Sequence, residues 1–367
     1  MSIDTKREEV LRQLRTVQDP DLHRDLVSLG MIQDLAIQDT AVSFSIVLTT
    51  PACPVKNDMK EWARAAVARL PWVREVNVDL RSQTAAGRTV GQGQLIPKVK
   101  NVIAVASGKG GVGKSTTSVN VALALAETGA KVGLLDADIY GPNVPLMVGI
   151  KEKPEVRGEN GKIEPLVRYG IKLMSIGFFL DESNPVIWRG PMVHGAIQQF
   201  LRDVDWGELD YLIVDLPPGT GDAPLSLAQL VPMSGAVIVT TPQDVALQDV
   251  SKGMGMFRKL EVPIIGVIEN MSYFVCDHCQ TRHEIFGRGG GERIARHFGV
   301  PFLGQVPLQP AVREGGDEGR PIVVTQPRSA AAEAFRAVAG AVAQQVSILA
   351  YSNNGAFIPI NAITLNR

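Results

Sequence analysis

The segment SGKGGVGKST, residues 107–116, restricts the fold more than any other stretch of this chain. It follows the apolar run 101–107 and precedes a stretch of helical composition. Two patterns fit it at once. Gly108, Gly110 and Gly113 satisfy the dinucleotide fingerprint G-x-G-x-x-G, with Asp136 at about the separation of a ribose-binding acid. Gly108 through Ser115 also satisfy G-x-x-x-x-G-K-[ST], a loop that holds a nucleoside triphosphate. Lys114 and Ser115 decide between them. A pyrophosphate needs only a bare helix N-terminus, whereas a triphosphate needs a cation for its outer phosphates and a hydroxyl for Mg²⁺. The expected binding set is Gly108, Lys109, Gly110, Gly111, Val112, Gly113, Lys114, Ser115 and Thr116, with ATP and Mg²⁺ as ligands. Successive backbone N–H groups would curve into an anion nest, and Thr116 would reach the α-phosphate.

Four further apolar runs share the grammar of 101–107: KVGLLDAD, YLIVDLPP, GAVIVTTP and PIIGVIEN. They alternate with helix-like segments at 115–128, 222–231, 245–260 and 287–298. Continuously apolar strands separated by helices predict an α/β unit whose mostly parallel sheet is covered on both faces. An Ala-rich, nearly uncharged stretch at about 329–350 predicts a last helix packed on the core, without the basic face of a membrane-surface helix.

Residues 1–82 have a different pattern. Val10, Leu11, Leu14 and Val17 recur at helical spacing, and AVSFSIVL places Val42, Phe44, Ile46 and Leu48 on one face of a strand. Residues 55–70 read as a helix with Met59, Ala63, Ala66 and Leu70 on one side, and 73–80 alternate again. The order helix, two strands, helix, strand predicts a small α+β domain. Residues 83–98 lose the periodicity and read as a linker, 99–350 form the second domain, and 351–367 are expected to be a disordered tail. A length of 367 residues is consistent with two domains.

The charge balance, 37 Lys plus Arg against 38 Asp plus Glu, contains no long basic run, so neither nucleic acid nor an anionic membrane is an expected partner. No apolar stretch approaches the roughly 18 residues of a bilayer span. The segment MSIDTKREEVLRQL lacks a signal-peptide core, and three cysteines do not make a secreted disulfide framework, so the cytoplasm is the expected compartment.

Acids at the ends of two apolar runs complete the nucleotide reading. Asp215 in YLIVDLPPG is the expected Mg²⁺-side carboxylate. LLDADIYGPN offers Asp136 and Asp138, of which Asp136 is expected to join Ser115 and Asp215 near the Mg²⁺ and Asp138 to orient the attacking water; taken alone, each is more often a turn or cap residue. Lys109 is surplus to one phosphate site. It is either a solvated charge or a group that crosses to the nucleotide of a second subunit.

Cys276 and Cys279 form a C-x-x-C beside His278 and His283. Such a pair serves as half of a metal or Fe–S site, as a zinc site with the imidazoles, or as a redox couple. Cys53, ahead of a predicted helix, reads either as a reactive thiolate lowered by the helix N-terminus or as a plain buried cysteine. His194 and His297 have no motif around them and read as structural. Arg189 in WRGPM is a candidate sensor of the nucleotide or of a partner chain.

GKGGVGKST, with its extra lysine, resembles the deviant Walker A motif of the MinD/ParA/nitrogenase-iron-protein class of P-loop NTPases, which sandwich two ATPs between two subunits. The segments VIENMSYFVCDHC…HEIFGRGGGERIA, YLIVDLPPGTGD, WRGPM and GQVPL resemble the Mrp/NBP35-type (ApbC-like) iron–sulfur carrier ATPases, over roughly residues 98–350. The amino-terminal residues DPDL…LVSLGMI and LTTPACP resemble the MIP18-type (DUF59) module of iron–sulfur assembly factors. The resemblance implies a homodimeric ATPase that binds a labile [4Fe–4S] cluster and passes it from cluster donors to apo iron–sulfur proteins. It implies that Lys109 acts across the dimer, that Asp138 assists the water, that Asn270 reads adenine, and that Cys276 and Cys279 of two chains share one cluster. A positioning switch with a zinc C-x-x-C and an ATP-driven reductase are the alternatives.

Overall fold

The computed structural model describes residues 2–84, 86, 95–157, 161–179, 190–276 and 278–353. The chain divides into two compact units, Met1–Ala85 and Ala86–Arg367.

In the first unit, helix α1 (Ile3–Leu14) starts at Ser2, whose Oγ accepts the Thr5 amide at 3.1 Å. Strands β1 (Ile32–Gln38) and β2 (Ala41–Leu48) pair antiparallel. Helix α2 (Lys56–Ala68) then returns the chain to β3 (Glu75–Ser82), parallel to β2. Val42, Phe44, Ile46 and Leu48 share one core with Met59, Ala63, Ala66, Leu70, Val10 and Leu14. Each large apolar side chain buried this way contributes about 1.5–3 kcal/mol. Val17 joins that core from beyond the end of α1.

The second unit is built on β4 (Val102–Ser107), α3 (Lys114–Glu127), β5 (Val132–Asp136), β6 (Leu166–Arg168), β7 (Ile171–Ser175), α4 (Gly190–Asp203) and β8 (Tyr211–Asp215). It continues with α5 (Asp222–Leu230), β9 (Gly235–Thr240), α6 (Asp244–Lys259), β10 (Ile264–Glu269), α7 (Gly290–Phe298), β11 (Phe302–Gln305) and α8 (Ala330–Asn353). The strands form one sheet in the order β6–β7–β5–β8–β4–β9–β10–β11. Every neighbouring pair is parallel except the edge pair β6 and β7. Every residue of β4, β5, β8 and β9 is buried, which is why these strands are uninterrupted apolar runs in the sequence.

Three strands and one helix do not follow from the apolar runs. β6 and β11 are short, β7 is interrupted by Lys172, and α4 opens on GPM without a distinct signal. Lys172 is accommodated because its Nζ donates to the Trp206 carbonyl at 2.7 Å. Ile96 is buried and the Lys98 carbonyl accepts the Leu209 amide, so packing of this unit starts ahead of β4. α8 runs on to Asn353, and the rest of the expected tail lies outside the described residues. Among the described residues no helix is long and apolar enough to cross a membrane.

Sheet register places the chemistry. Asp215 at the end of β8 stands opposite Asp136 at the end of β5, which stands opposite Ser175 at the end of β7. The glycine loop leaves β4 at the same carboxyl rim, where open α/β sheets bind ligands.

Candidate nucleotide site and thiol hairpin

The loop between β4 and α3 depends on glycine at two kinds of position. Gly111 and Gly113 adopt φ of +80° and +79°, the left-handed region. Gly108 and Gly113 are also crowded: a Cβ on Gly108 would lie 2.4 Å from the Val250 amide nitrogen, and one on Gly113 would lie 2.2 Å from Asn270 Nδ2. Gly113 supplies no side chain to cap α3, whose first-turn N–H groups and positive dipole end therefore face the loop. Val112 is buried, and Lys109 is half-buried with its carbonyl accepting from Ser107 Oγ at 3.0 Å. Gly110 is exposed, and Thr116 is half-buried on the first turn of α3.

Beneath the loop, Lys114 Nζ lies 2.8 Å from Asp215 Oδ1 and 3.4 Å from Asp138 Oδ2. Ser115 Oγ donates to Asp215 Oδ2 at 2.5 Å. Ser118, one turn further along α3, donates to Asp215 Oδ1 at 2.7 Å and fixes that carboxylate from behind. Its spacing of four from Lys114 was the available sequence signal for it. Asp136 is fully buried: Oδ1 accepts the Asp138 amide, and Oδ2 accepts Ser175 Oγ at 2.9 Å and the Val144 amide. Burial, reinforced by the Asp215 charge, pushes its carboxyl up to about 8. With both oxygens taken by these donors, Asp136 holds the turn that presents Asp138 and does not offer the free oxygen expected of a Mg²⁺ ligand. Burial also raises the Asp138 carboxyl, with Lys114 pulling the other way.

Asp215 and Asp138 share the single ammonium of Lys114, while Asp136, pushed up to about 8, keeps its proton at neutral pH. Asp138 Oδ1 is buried without a hydrogen-bond donor among the described residues. An orphaned carboxylate oxygen, the Ser115 hydroxyl and Asp215 form the hard oxygen set that Mg²⁺ takes. The residues present fit the ion.

Asn270 follows β10 and reaches the loop from the other side. Its Nδ2 donates to the Val112 carbonyl at 2.8 Å, so its amide is used at least partly to hold the loop.

Four residues later begins a short hairpin, Phe274–Val275 paired with Arg282–His283, that carries the thiols. The Cys276 amide donates to the Thr281 carbonyl at 3.0 Å, and the Gln280 amide donates back to the Cys276 carbonyl at 2.8 Å. Cys276 is half-buried and Cys279 exposed. Cys279 Sγ lies 3.3 Å from Thr281 Oγ1. Hydrogen bonds from the Thr281 side chain and backbone, and then from Cys276, hold the Cys279 thiol below the usual range. His278 and His283 are exposed, and among the described residues no three metal-ligating side chains gather at one point. The hairpin therefore presents two thiols.

Cys53 takes the second of its two readings, a plain buried cysteine. It sits in the core of the first unit, and burial pushes its thiol up to about 11, so the helix N-terminus does not make a thiolate of it. His297 packs edge-on against Phe298 in α7, and His194 lies half-buried in α4. Arg189 lies outside the described residues.

A glycine loop that delivers a lysine and a serine to an acidic pair at the rim of a parallel sheet defines a P-loop NTPase of the MinD/ParA fold. The solved cell division ATPase MinD of Pyrococcus furiosus shares that fold at a TM-score of 0.51, with 25% identity over 66% of this chain and 98% of that one. Residues 98–343 match the family model described as NUBPL iron-transfer P-loop NTPase, and residues 7–80 match that of iron-sulfur cluster assembly protein. The chain belongs to the NUBPL iron-transfer P-loop NTPase family. It is 53% identical to the iron-sulfur cluster carrier protein of Synechocystis sp. over 93% of this chain and 98% of that one. A nucleotide-binding protein of Archaeoglobus fulgidus, solved with ADP, is 41% identical and superposes with a TM-score of 0.57, covering 65% of this chain and 93% of that one.

Proposed function

We propose that this protein is an ATP-hydrolysing carrier that assembles a labile [4Fe–4S] cluster between two copies of the chain and transfers it to apo-proteins. The carrying observation is the hairpin, which presents one exposed and one half-buried thiol on the same unit as a P-loop. Four thiolates complete such a cluster, and a two-fold axis turns two ligands into four. A cargo bridged at a surface is accessible to a recipient. The names of the family and of the Synechocystis relative support the same reading.

At the other site, Lys114 and the loop amides would bind the β- and γ-phosphates of ATP. Ser115, Asp215 and Asp138 would hold Mg²⁺, which supplies charge neutralisation to those phosphates. Asp138 would orient water for attack at the γ-phosphorus and accept its proton as the bond to the bridging oxygen breaks. Asp136 positions Asp138, and Lys109 at the rim would reach the nucleotide of the partner subunit. A reducing compartment such as the cytoplasm would keep both thiols available.

The test is transfer from the reconstituted protein to an apo [4Fe–4S] acceptor enzyme. Replacing Cys276 and Cys279 together with Ala should abolish acceptor activation. Activation at the wild-type rate by that variant would overturn the proposal.

A further inference from the structure

We propose that Glu269 is a positioning residue that couples the glycine loop to the cysteine hairpin; the inference rests on the nucleotide-dependent carrier reading. Glu269 ends β10 and is fully buried. A hydrocarbon could fill the same space without the cost of burying a carboxylate. The carboxylate adds direction, because it gathers donors from three separate segments. Oε2 accepts the Gly291 amide at 2.6 Å, at the positive end of α7. Oε1 accepts Ser272 Oγ at 2.6 Å and Gln305 Nε2 at 3.3 Å.

One side of this clamp leads to the nucleotide loop. The next residue, Asn270, donates to the Val112 carbonyl and occupies the space that a Cβ on Gly113 would need. The other side leads to the thiols. Gln305 Oε1 accepts from Arg282 Nη2 at 3.3 Å, and the Arg282 guanidinium lies 3.8 Å from the centre of the Tyr273 ring. Arg282 begins the return strand of the hairpin, directly after Thr281, which binds the Cys276 amide and lies against Cys279 Sγ.

The backbone reinforces this path. The Val306 amide donates to the Glu269 carbonyl, the Ser272 amide to the Val306 carbonyl, and the Leu308 amide to the Tyr273 carbonyl. The hairpin thus extends the sheet edge, and its first thiol is six residues beyond Asn270, at most about 20 Å along the chain. Met271, between Asn270 and Ser272, adopts φ of +53°, a strained value for a non-glycine residue. It is the point at which a shift of Asn270 would turn the segment. Phosphates entering the loop would move Val112, and the clamp would pass that movement to the thiols as a change in their accessibility.

The experiment measures iodoacetamide alkylation of Cys276 and Cys279, resolved by peptide mass, on the full-length apo protein with and without ADP. Nucleotide binding is titrated separately. In the wild type, ADP should change the alkylation rate by about fivefold or more, the range of ordinary coupling between sites. Gln305→Leu, which can neither donate nor accept, should bind ADP yet lose that change. Arg282→Ala, at the surface, should lose it as well, whereas Arg282→Lys should keep most of it. A change that persists in Gln305→Leu and Arg282→Ala overturns the relay, and so does a wild type that binds ADP without any change. A wild type that binds no nucleotide overturns the function reading instead.

Discussion

At Asp136 a single proton links the site to stability. The carboxyl is pushed up to about 8 from the ordinary aspartate value of 3.8, so the folded protein holds a proton that the unfolded chain has released across that interval. The associated stability is complete below the lower value and is lost as pH rises through about 8. Nucleotide-free protein should therefore lose Tm across this window, and Asp136→Asn should flatten the profile; parallel profiles by calorimetry would contradict the assignment. The three cysteines separate on the same grounds. Cys279, exposed and held low by Thr281, should be the first alkylated at neutral pH, and buried Cys53 the last. Peptide mapping of a timed iodoacetamide reaction checks this, and early labelling of Cys53 would be the adverse result. Lys114 and Ser115 were legible from spacing, and the acids from their places at the ends of apolar runs beside the glycine loop. The environment of Cys53 was not, because a helix N-terminus is a local feature, whereas burial is decided by the sheet and helices packed around it. Glu269 gave no signal either, since its partners Gly291 and Gln305 are distant in sequence and meet only through the sheet edge.

Among the elements, the β4–α3 loop carries the strictest requirement. Gly113→Ala would place a Cβ at φ of +79° and against Asn270 Nδ2. The left-handed backbone alone costs about 1–2 kcal/mol, and Asn270 must also move off the Val112 carbonyl. A fluorescent-nucleotide titration should show affinity falling by about tenfold or more. Wild-type affinity would mean that the loop does not hold phosphates in this shape. Legibility of the elements followed burial. β4, β5, β8, β9 and β10 were readable because almost every residue in them is buried, and the helices between them followed by alternation. β7 was hidden because Lys172 reaches back to a main-chain carbonyl, and β11 because four residues are too few to show a period.

The whole molecule joins two units with different cores to one nucleotide site and one thiol pair. The two sites are separate enough to be tested separately. Lys114→Ala removes the cation shared by Asp215 and Asp138, so it should abolish nucleotide-driven delivery while leaving cluster assembly intact. Reconstitution followed by absorbance and transfer assays distinguishes the two effects, and failure of assembly would contradict their separation. The two-domain plan was legible because the hydrophobic grammar changes between strand-and-helix alternation before residue 82 and continuous apolar strands after 101. The proposal that a second copy supplies the other two ligands comes from the ligand count and the family resemblance, not from contacts within one chain.

That last point is the central claim, and iron and acid-labile sulfide content after anaerobic reconstitution, with molecular mass taken on the same sample, tests it most directly. The predicted result is about two irons and two sulfides per chain in a dimer, one four-iron cluster for every two hairpins. Zinc in place of iron, or a full complement of metal on a monomer, would contradict the shared-cluster carrier and leave the hairpin as a structural clip on a nucleotide switch.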